Sequence, residues 1–295
     1  MTVVAPAATR NSMSVVQIAA YLGVAPFFIF ALLFLILPTV DLLIGAFKDG
    51  QGAFTLTNFV GLTQTKILNS YLLSIEVSVA SASFGALFGL VLALAVVRGG
   101  LPSWMRPTLM TFSGVASNFA GVPLAFAFLA TLGRLGIVTI ILRDVFGLDL
   151  YAVGFNLLSF TGLTLTYLYF QIPLMVLVVT PALDGMKQEW AEAAVILGAS
   201  TTQYWRLVAL PVLLPSILGA SLLLFANAFG AIATAYALTG SVFNIVPIQL
   251  YAQIRGDVLH DPNLGYALAV GMLIITGLSN LAYRVLRARS ERWLK

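Results

Sequence analysis

The stretch 184-DGMKQEWAEAAVILGASTTQYWRLVALP-211 decides how this chain is read. From Asp184 to Leu197 the residues suit a helix. Trp190, Ala193, Ala194 and Leu197 fall at i, i+3, i+4 and i+7 and form one small, mostly apolar face. Gly198 stands where a left-handed residue would stop that helix. Ser200 and Gln203, three apart, make a capping-box start for a second short helix. Trp205, Val208 and Ala209 supply its apolar side, and Pro211 is expected to close it. The stretch therefore predicts a helix, a glycine corner and a helix, folded into a compact knob.

Outward from the knob, charge almost disappears. The 295 residues are 60% hydrophobic and 9% charged, with a mean hydropathy of +1.00. A soluble domain is roughly 45–50% apolar and about 25% charged, so this composition excludes a water-soluble globule. It equally excludes a disordered tail, a collagen, a coiled coil and a disulfide-stapled module. The chain has no cysteine and one histidine, His260. Thiolate metal sites, Fe–S clusters, a cysteine nucleophile and multi-histidine sites are thereby removed.

The charge-free runs mark the spans. Arg10 to Asp41, Glu76 to Arg98, Arg106 to Arg134, Asp149 to Asp184, Arg206 to Arg255 and Asp261 to Arg284 all exceed the roughly 20 residues that cross a bilayer as helix. They predict an all-α polytopic membrane protein with six transmembrane helices, near 19–44, 69–97, 108–132, 156–180, 213–238 and 265–286. The segment Thr239–Ile254 carries Gly240, Asn244, Pro247, Gln249 and Gln253. Polar groups there would go unpaired in lipid, so it reads as an extracytoplasmic loop. Leu135–Leu142 is apolar but too short to cross and reads as an interfacial or loop helix. With six crossings, ten of the 15 Lys and Arg fall on the side that holds both termini, five of them in the C-terminal tail from Arg284 onward. The positive-inside rule places that side, and the knob with it, in the cytoplasm.

The knob carries a longer signal. Glu192-Ala193-Ala194, three residues, Gly198, nine residues, then Val208-Ala209-Leu210-Pro211 resembles the E-A-A-x3-G-x9-I-x-L-P loop of permease subunits of binding-protein-dependent ABC importers. Val208 stands where that family usually has Ile. The flanks Ile172-Pro173-Leu174, Pro181-Ala182-Leu183 and Pro211 through Pro215 look like the same family. The resemblance covers residues 69–287 and implies the type I importer permease fold, closer to the spermidine/putrescine-like branch than to long permeases with extra domains. It divides the chain into a cytoplasmic tail (1–18), a first transmembrane helix with its extracytoplasmic loop (19–68), a five-helix core with a coupling loop at 181–212, and a basic tail (288–295). It further implies that Trp190, Glu192, Ala193, Ala194, Gly198, Leu210 and Pro211 form the surface that docks on a separate ATPase. The small Ala193 and Ala194 would allow close approach, Glu192 would offer a carboxylate, and Gly198 would permit the corner. The implied partners are two ABC ATPase subunits, which hold the ATP and Mg, a second permease copy or paralogue, and an extracytoplasmic solute-binding protein. The implied location is the bacterial inner membrane. No cofactor in this chain and no nucleic-acid partner are expected.

The residues themselves offer no chemistry. Lys48, Lys66, Lys187 and Lys295 follow Phe, Thr, Met and Leu, so the Gly-Lys-Ser/Thr of a phosphate-binding loop is absent. His260, beside Asp257 and Asp261, reads as a solvated loop residue, and no acid–base pair stands out. An ion-coupled secondary transporter is the alternative reading, and a membrane scaffold a lesser one. The former needs an ionisable group inside the bilayer, and Glu76, expected near the outer interface, is the only candidate. Ser74, Ser78, Ser81, Gly85 and Gly89, at steps of three and four, form a stripe for close helix packing. Asn118, Tyr167, Gln171 and Asn227 are the candidate substrate-path residues, although such groups serve more often as hydrogen-bond partners between helices.

Overall fold

In hydrocarbon every backbone N–H and C=O must find a partner within its own segment or in protein, and the apolar runs satisfy this as helices. The computed structural model describes residues 15–255 and 261–290; His260 and the tails 1–14 and 291–295 lie outside the described residues. In chain order the helices are α1 (Val15–Ala31), α2 (Leu37–Ala46), α3 (Thr57–Gly61), α4 (Thr65–Arg98), α5 (Met105–Ala116), α6 (Val122–Leu132) and α7 (Ile137–Phe146). There follow α8 (Phe160–Asp184), α9 (Gln188–Ile196), α10 (Thr201–Tyr204), α11 (Leu210–Gly230), α12 (Ile232–Thr239), α13 (Val246–Arg255) and α14 (Pro262–Ser290). By length and apolarity alone six helical runs among the described residues could cross a membrane, the third being Val122–Phe146, which is α6 and α7 joined by the turn at 133–136. The fold is the all-α, six-span architecture that the charge gaps predict.

The centre of the bundle is α4 against α8, made possible by the small-residue stripe. Ser74, Ser78, Ser81, Gly85 and Gly89 are all buried. A β-carbon on Gly85 would lie 2.7 Å from Cβ of Gln171, and one on Gly89 would lie 2.8 Å from the Ile172 carbonyl oxygen. Both contacts advance in the same direction along the two helices, so α4 and α8 run parallel. On this register Glu76 lies level with Gly162, at the end of α8 away from the knob, and its side chain is exposed. α11 runs back against both helices, with Leu224 against Gly85.

Among the described residues there are three hydrophobic cores, one between α2 and α14 and two lining this helix pair. One holds Met175, Val179, Leu183, Ala209, Leu213, Ala220 and Leu224, on the knob side. The other holds Val77, Leu124, Leu157, Leu163, Tyr167, Phe170, Ala235 and Ile248, on the far side. Between them lies a polar layer of Ser78, Ser81 and Gln171. Gln171 Nε2 donates to the Leu224 carbonyl at 2.9 Å and approaches Ser81 Oγ at 3.5 Å, while its fully buried Oε1 has no partner.

Several helices depart from the sequence reading. The third span is not one helix over 108–132: it is α5 and α6, interrupted at 117–121. The pair still makes one crossing, because α5 tracks α8 from Arg106 beside Asp184 to Phe119 against Tyr169 and α6 continues beyond. The fifth span, expected unbroken over 213–238, is interrupted at Ala231 (φ −77°, ψ 84°). Thr239–Ile254 is no loose loop, since α13 buries Val246, Ile248, Gln249 and Gln253 against the bundle and Ser74 Oγ accepts from the Val246 N–H at 2.8 Å. Its polarity is satisfied by protein, which hydropathy cannot register. Helix α1 starts at Val15, four residues before its expected start, and α14 continues to Ser290. Among the described residues the first span meets its own chain along α2, where Leu42, Gly45 and Ala46 pack on Tyr266, Ala267 and Val270 of α14.

Candidate functional site

The knob at 185–209 is built as its sequence dictates. α9 closes with the paired bonds of a Schellman motif: the Ala199 N–H reaches the Ala194 carbonyl and the Gly198 N–H the Val195 carbonyl, both at 2.9 Å. Gly198 sits at φ +76°, the left-handed conformation that this motif demands. Ser200 then caps α10 reciprocally with Gln203: the Gln203 N–H donates to Ser200 Oγ at 3.3 Å and the Ser200 N–H to Gln203 Oε1 at 2.7 Å. One expectation is overturned here. Pro211 does not close the second helix, because α10 runs on through a π turn at Trp205–Ala209 into α11. That turn re-pairs the Leu210 N–H five residues back, to Trp205. It widens the helix where the Pro211 ring would otherwise crowd the carbonyl four residues earlier. α9 is also shorter than its expected start at Asp184, beginning only at Gln188.

The named knob residues divide by face. Trp190, Ala193, Ala194 and Leu197 line an apolar hollow of ≈ 480 Å³ together with Gln203, Tyr204, Leu207 and Val208. Ala194 is buried, so its small side chain lets α9 approach the second arm of the knob itself. Ala193 is exposed. Glu192 is exposed and accepts from Gln188 Nε2 at 3.0 Å. At the tip Ile196 and Leu197 are each 85% exposed, a large apolar surface for a polar end of the molecule. Leu210 is half exposed at the base, beside Pro211.

A residue that sequence reasoning missed fastens the knob. Arg98, the last residue of α4, donates through Nη2 to the carbonyls of Leu183 (3.2 Å) and Met186 (3.0 Å). A cation on the last carbonyls of α8 is favourable both as hydrogen bond and against the helix dipole. Arg106 pairs with Asp184 alongside, an exposed bridge of about 0–1 kcal/mol.

The four path candidates fall into two kinds. Tyr167 and Gln171 are fully buried; Tyr167 Oη donates to the Ala231 carbonyl at 2.6 Å, taking up the acceptor that the break frees. Asn118 and Asn227 are exposed. Asn118 lies in the interruption of the third span, its Nδ2 on the Gly114 carbonyl at 2.9 Å, and Asn227 lies one turn before the interruption of the fifth. The two interruptions are tied together: the Gly121 N–H donates to Thr234 Oγ1 at 2.6 Å, with Gly121 at φ +73°. Thr234 was not singled out from sequence, but Gly121-Val122-Pro123 carried the signal of a break. Unwound backbone at membrane depth is tolerated where protein or a water-filled path satisfies it.

No protein-family model matches the chain. Among curated proteins it is similar to the molybdenum transport system permease protein ModB of Mycobacterium tuberculosis, 26% identical over 223 residues, covering 74% of this chain and 78% of that one. It is also similar to the spermidine/putrescine transport system permease protein PotC of Escherichia coli, 23% identical over 249 residues, covering 82% and 85%. Among solved structures, a bacterial ABC transporter involved in import of the polysaccharide alginate matches with a TM-score of 0.70 at 19% identity, over 90% of this chain and 95% of that one. A second structure of an alginate transporter, in complex with a pentasaccharide-bound periplasmic protein, matches with a TM-score of 0.66. At such identity the structural likeness fixes the fold.

Proposed function

We infer that this chain is the transmembrane permease subunit of a binding-protein-dependent ABC importer. One observation carries the reading: the E-A-A-x3-G string is folded as a closed helix–glycine–helix knob, clamped by Arg98 to the ends of two spans. That is a mechanical handle. A loop that merely linked spans would need neither the paired caps nor the exposed Ile196 and Leu197.

The route of force follows from the helices. From Thr201 to Gly230 the backbone is one continuous helix of 30 residues, about 45 Å at 1.5 Å per residue. It joins the knob directly to the interruption at Ala231. A displacement of the knob therefore arrives at the paired breaks, where α6 and α12 pack together beyond the breaks and α5 and α11 pack on the α4–α8 core before them. The breaks are the gate: α6 with α12 swings against the core, with Asn118 and Asn227 on the path. ATP closes and opens a separate ATPase dimer that grips the knob, and the ligand-biased change of state is paid out there.

In this reading the chain works with two ATPase subunits, a second permease subunit and an extracytoplasmic solute-binding protein. It lies in the bacterial inner membrane with both termini in the cytoplasm, and ATP and Mg are bound by the ATPase. Cargo choice belongs to the binding protein, since the path residues are uncharged. The ion-coupled alternative loses support from the position of Glu76, level with the outer end of α8 and away from mid-bundle. Uptake into proteoliposomes tests the assignment: transport should need ATP and the ATPase and should survive an ionophore. Uptake without ATP that an ionophore abolishes would make the chain a secondary transporter.

A further inference from the structure

Helix α7 presents an apolar face that no other described residue covers. Ile137, Val138, Ile141 and Val145 lie on one side of the helix and are exposed, Ile137 by 62% and Val145 by 71%. Thr139, on the opposite side, is 2% exposed. α7 packs against α6 and is joined to it by only the turn at 133–136. α6 starts at the Gly121–Thr234 tie, and its 11 residues carry the chain about 16 Å further from the knob. This places α7 at the far end of the bundle, beside the start of α8.

We propose that α7 lies in the outer boundary of the bilayer, its apolar face in lipid, and acts as a float on the gate element α6. The occupant is argued from continuity and from charge. On α6 the exposed Val122 and Phe126 belong to the lipid-facing belt of the third crossing, and Leu135 in the turn, 85% exposed, leads from that belt toward α7. The exposed Arg134 stands in the turn just before the face, and Arg143 lies on the opposite side of the helix. Arg134 is stacked 5.1 Å over the Tyr151 ring, so one fixed cation stands where lipid phosphates lie, while Arg143 is neutralised by Asp144 at 2.8 Å. An amphipathic helix with one apolar face settles into that boundary in proportion to the apolar area it buries. Because α7 is tied to α6 by four residues, lipid holding α7 also loads the gate. The proposal rests on the gate reading above for its consequence, but not for its location.

The chain has no native cysteine, so single cysteines at Ile137, Ile141 and Val145, with Arg143→Cys for comparison, can each carry a nitroxide in lipid vesicles. Collision with oxygen should exceed collision with a water-soluble nickel chelate several-fold at the first three, and the order should reverse at position 143. Nickel access at all three apolar positions would overturn the proposal. So would protection of those positions only when the solute-binding protein is added, which would make the face a protein dock. These collision readings need neither ATP nor ATPase, so they stand whether or not the importer assignment does. In the assembled transporter Ile137→Glu with Ile141→Glu should cut uptake several-fold and leave the binding protein's affinity for the complex unchanged. Ile137→Leu with Ile141→Leu should keep uptake at the level of the unaltered chain. Unchanged uptake in the double Glu variant would remove the link to the gate.

Discussion

Gly198 and Gly89 each need to be glycine, for opposite causes. Around Gly198 there is open space where a β-carbon would sit, so the cost of Gly198→Ala is conformational, about 1–2 kcal/mol for a left-handed residue with a side chain. The variant should reach the membrane at normal levels while ATP hydrolysis continues with several-fold less uptake, and Glu192→Arg should uncouple in the same way. Wild-type uptake in both would remove the knob's coupling role. Gly89 meets the Ile172 carbonyl and Met175 instead. Gly89→Leu forces α4 from α8, an overpacking cost of about 1–3 kcal/mol or more, and should lower the yield of folded protein in detergent. Arg98→Gln loses charge-assisted bonds of about 1.5–3 kcal/mol and should raise amide exchange across 185–199. The glycines were legible: one follows a helical face, the others recur at helical spacing. Arg98 was not, because a terminal arginine that snorkels and one that clamps carbonyls 85 residues away look alike in sequence.

At the level of elements, hydropathy located the crossings and misjudged their continuity. A window long enough to find a span averages over Asn118 to Gly121, and over Gly230 and Ala231, so two breaks disappear into two apolar runs. α13 was read as a loop for the same reason, since Gln249 and Gln253 are polar yet buried against protein. The breaks are held by single bonds that can be removed singly. Tyr167→Phe keeps the ring and leaves the Ala231 carbonyl without its donor, at about 1–3 kcal/mol for a buried acceptor. Spin labels on α6 and α8 should then show a broader distance distribution than in the unaltered chain. Thr234→Val should do the same, and an unchanged distribution in both would show that the breaks are fixed by packing. Ser200→Ala, which removes a cap worth about 1 kcal/mol, should loosen the knob and leave these distances alone.

Over the whole molecule the division of the α4–α8 interior into two apolar cores matters more than any one contact. The serine layer on α4 was visible as a packing stripe, but its coincidence with Gln171 needed the register of α4 on α8. Apolar burial supplies most of the cooperativity of unfolding among soluble parts, and regions with separate burial can open at separate free energies. Here the seam of hydroxyls and one half-satisfied amide gives each mass its own melting behaviour. Calorimetry of the detergent-solubilised protein should therefore resolve two endotherms. Gln171→Leu replaces the amide with hydrocarbon, joins the masses across the seam and should merge the two peaks into one. The hydroxyl seam is thus where two apolar masses threaded by the same α4 and α8 are least firmly joined.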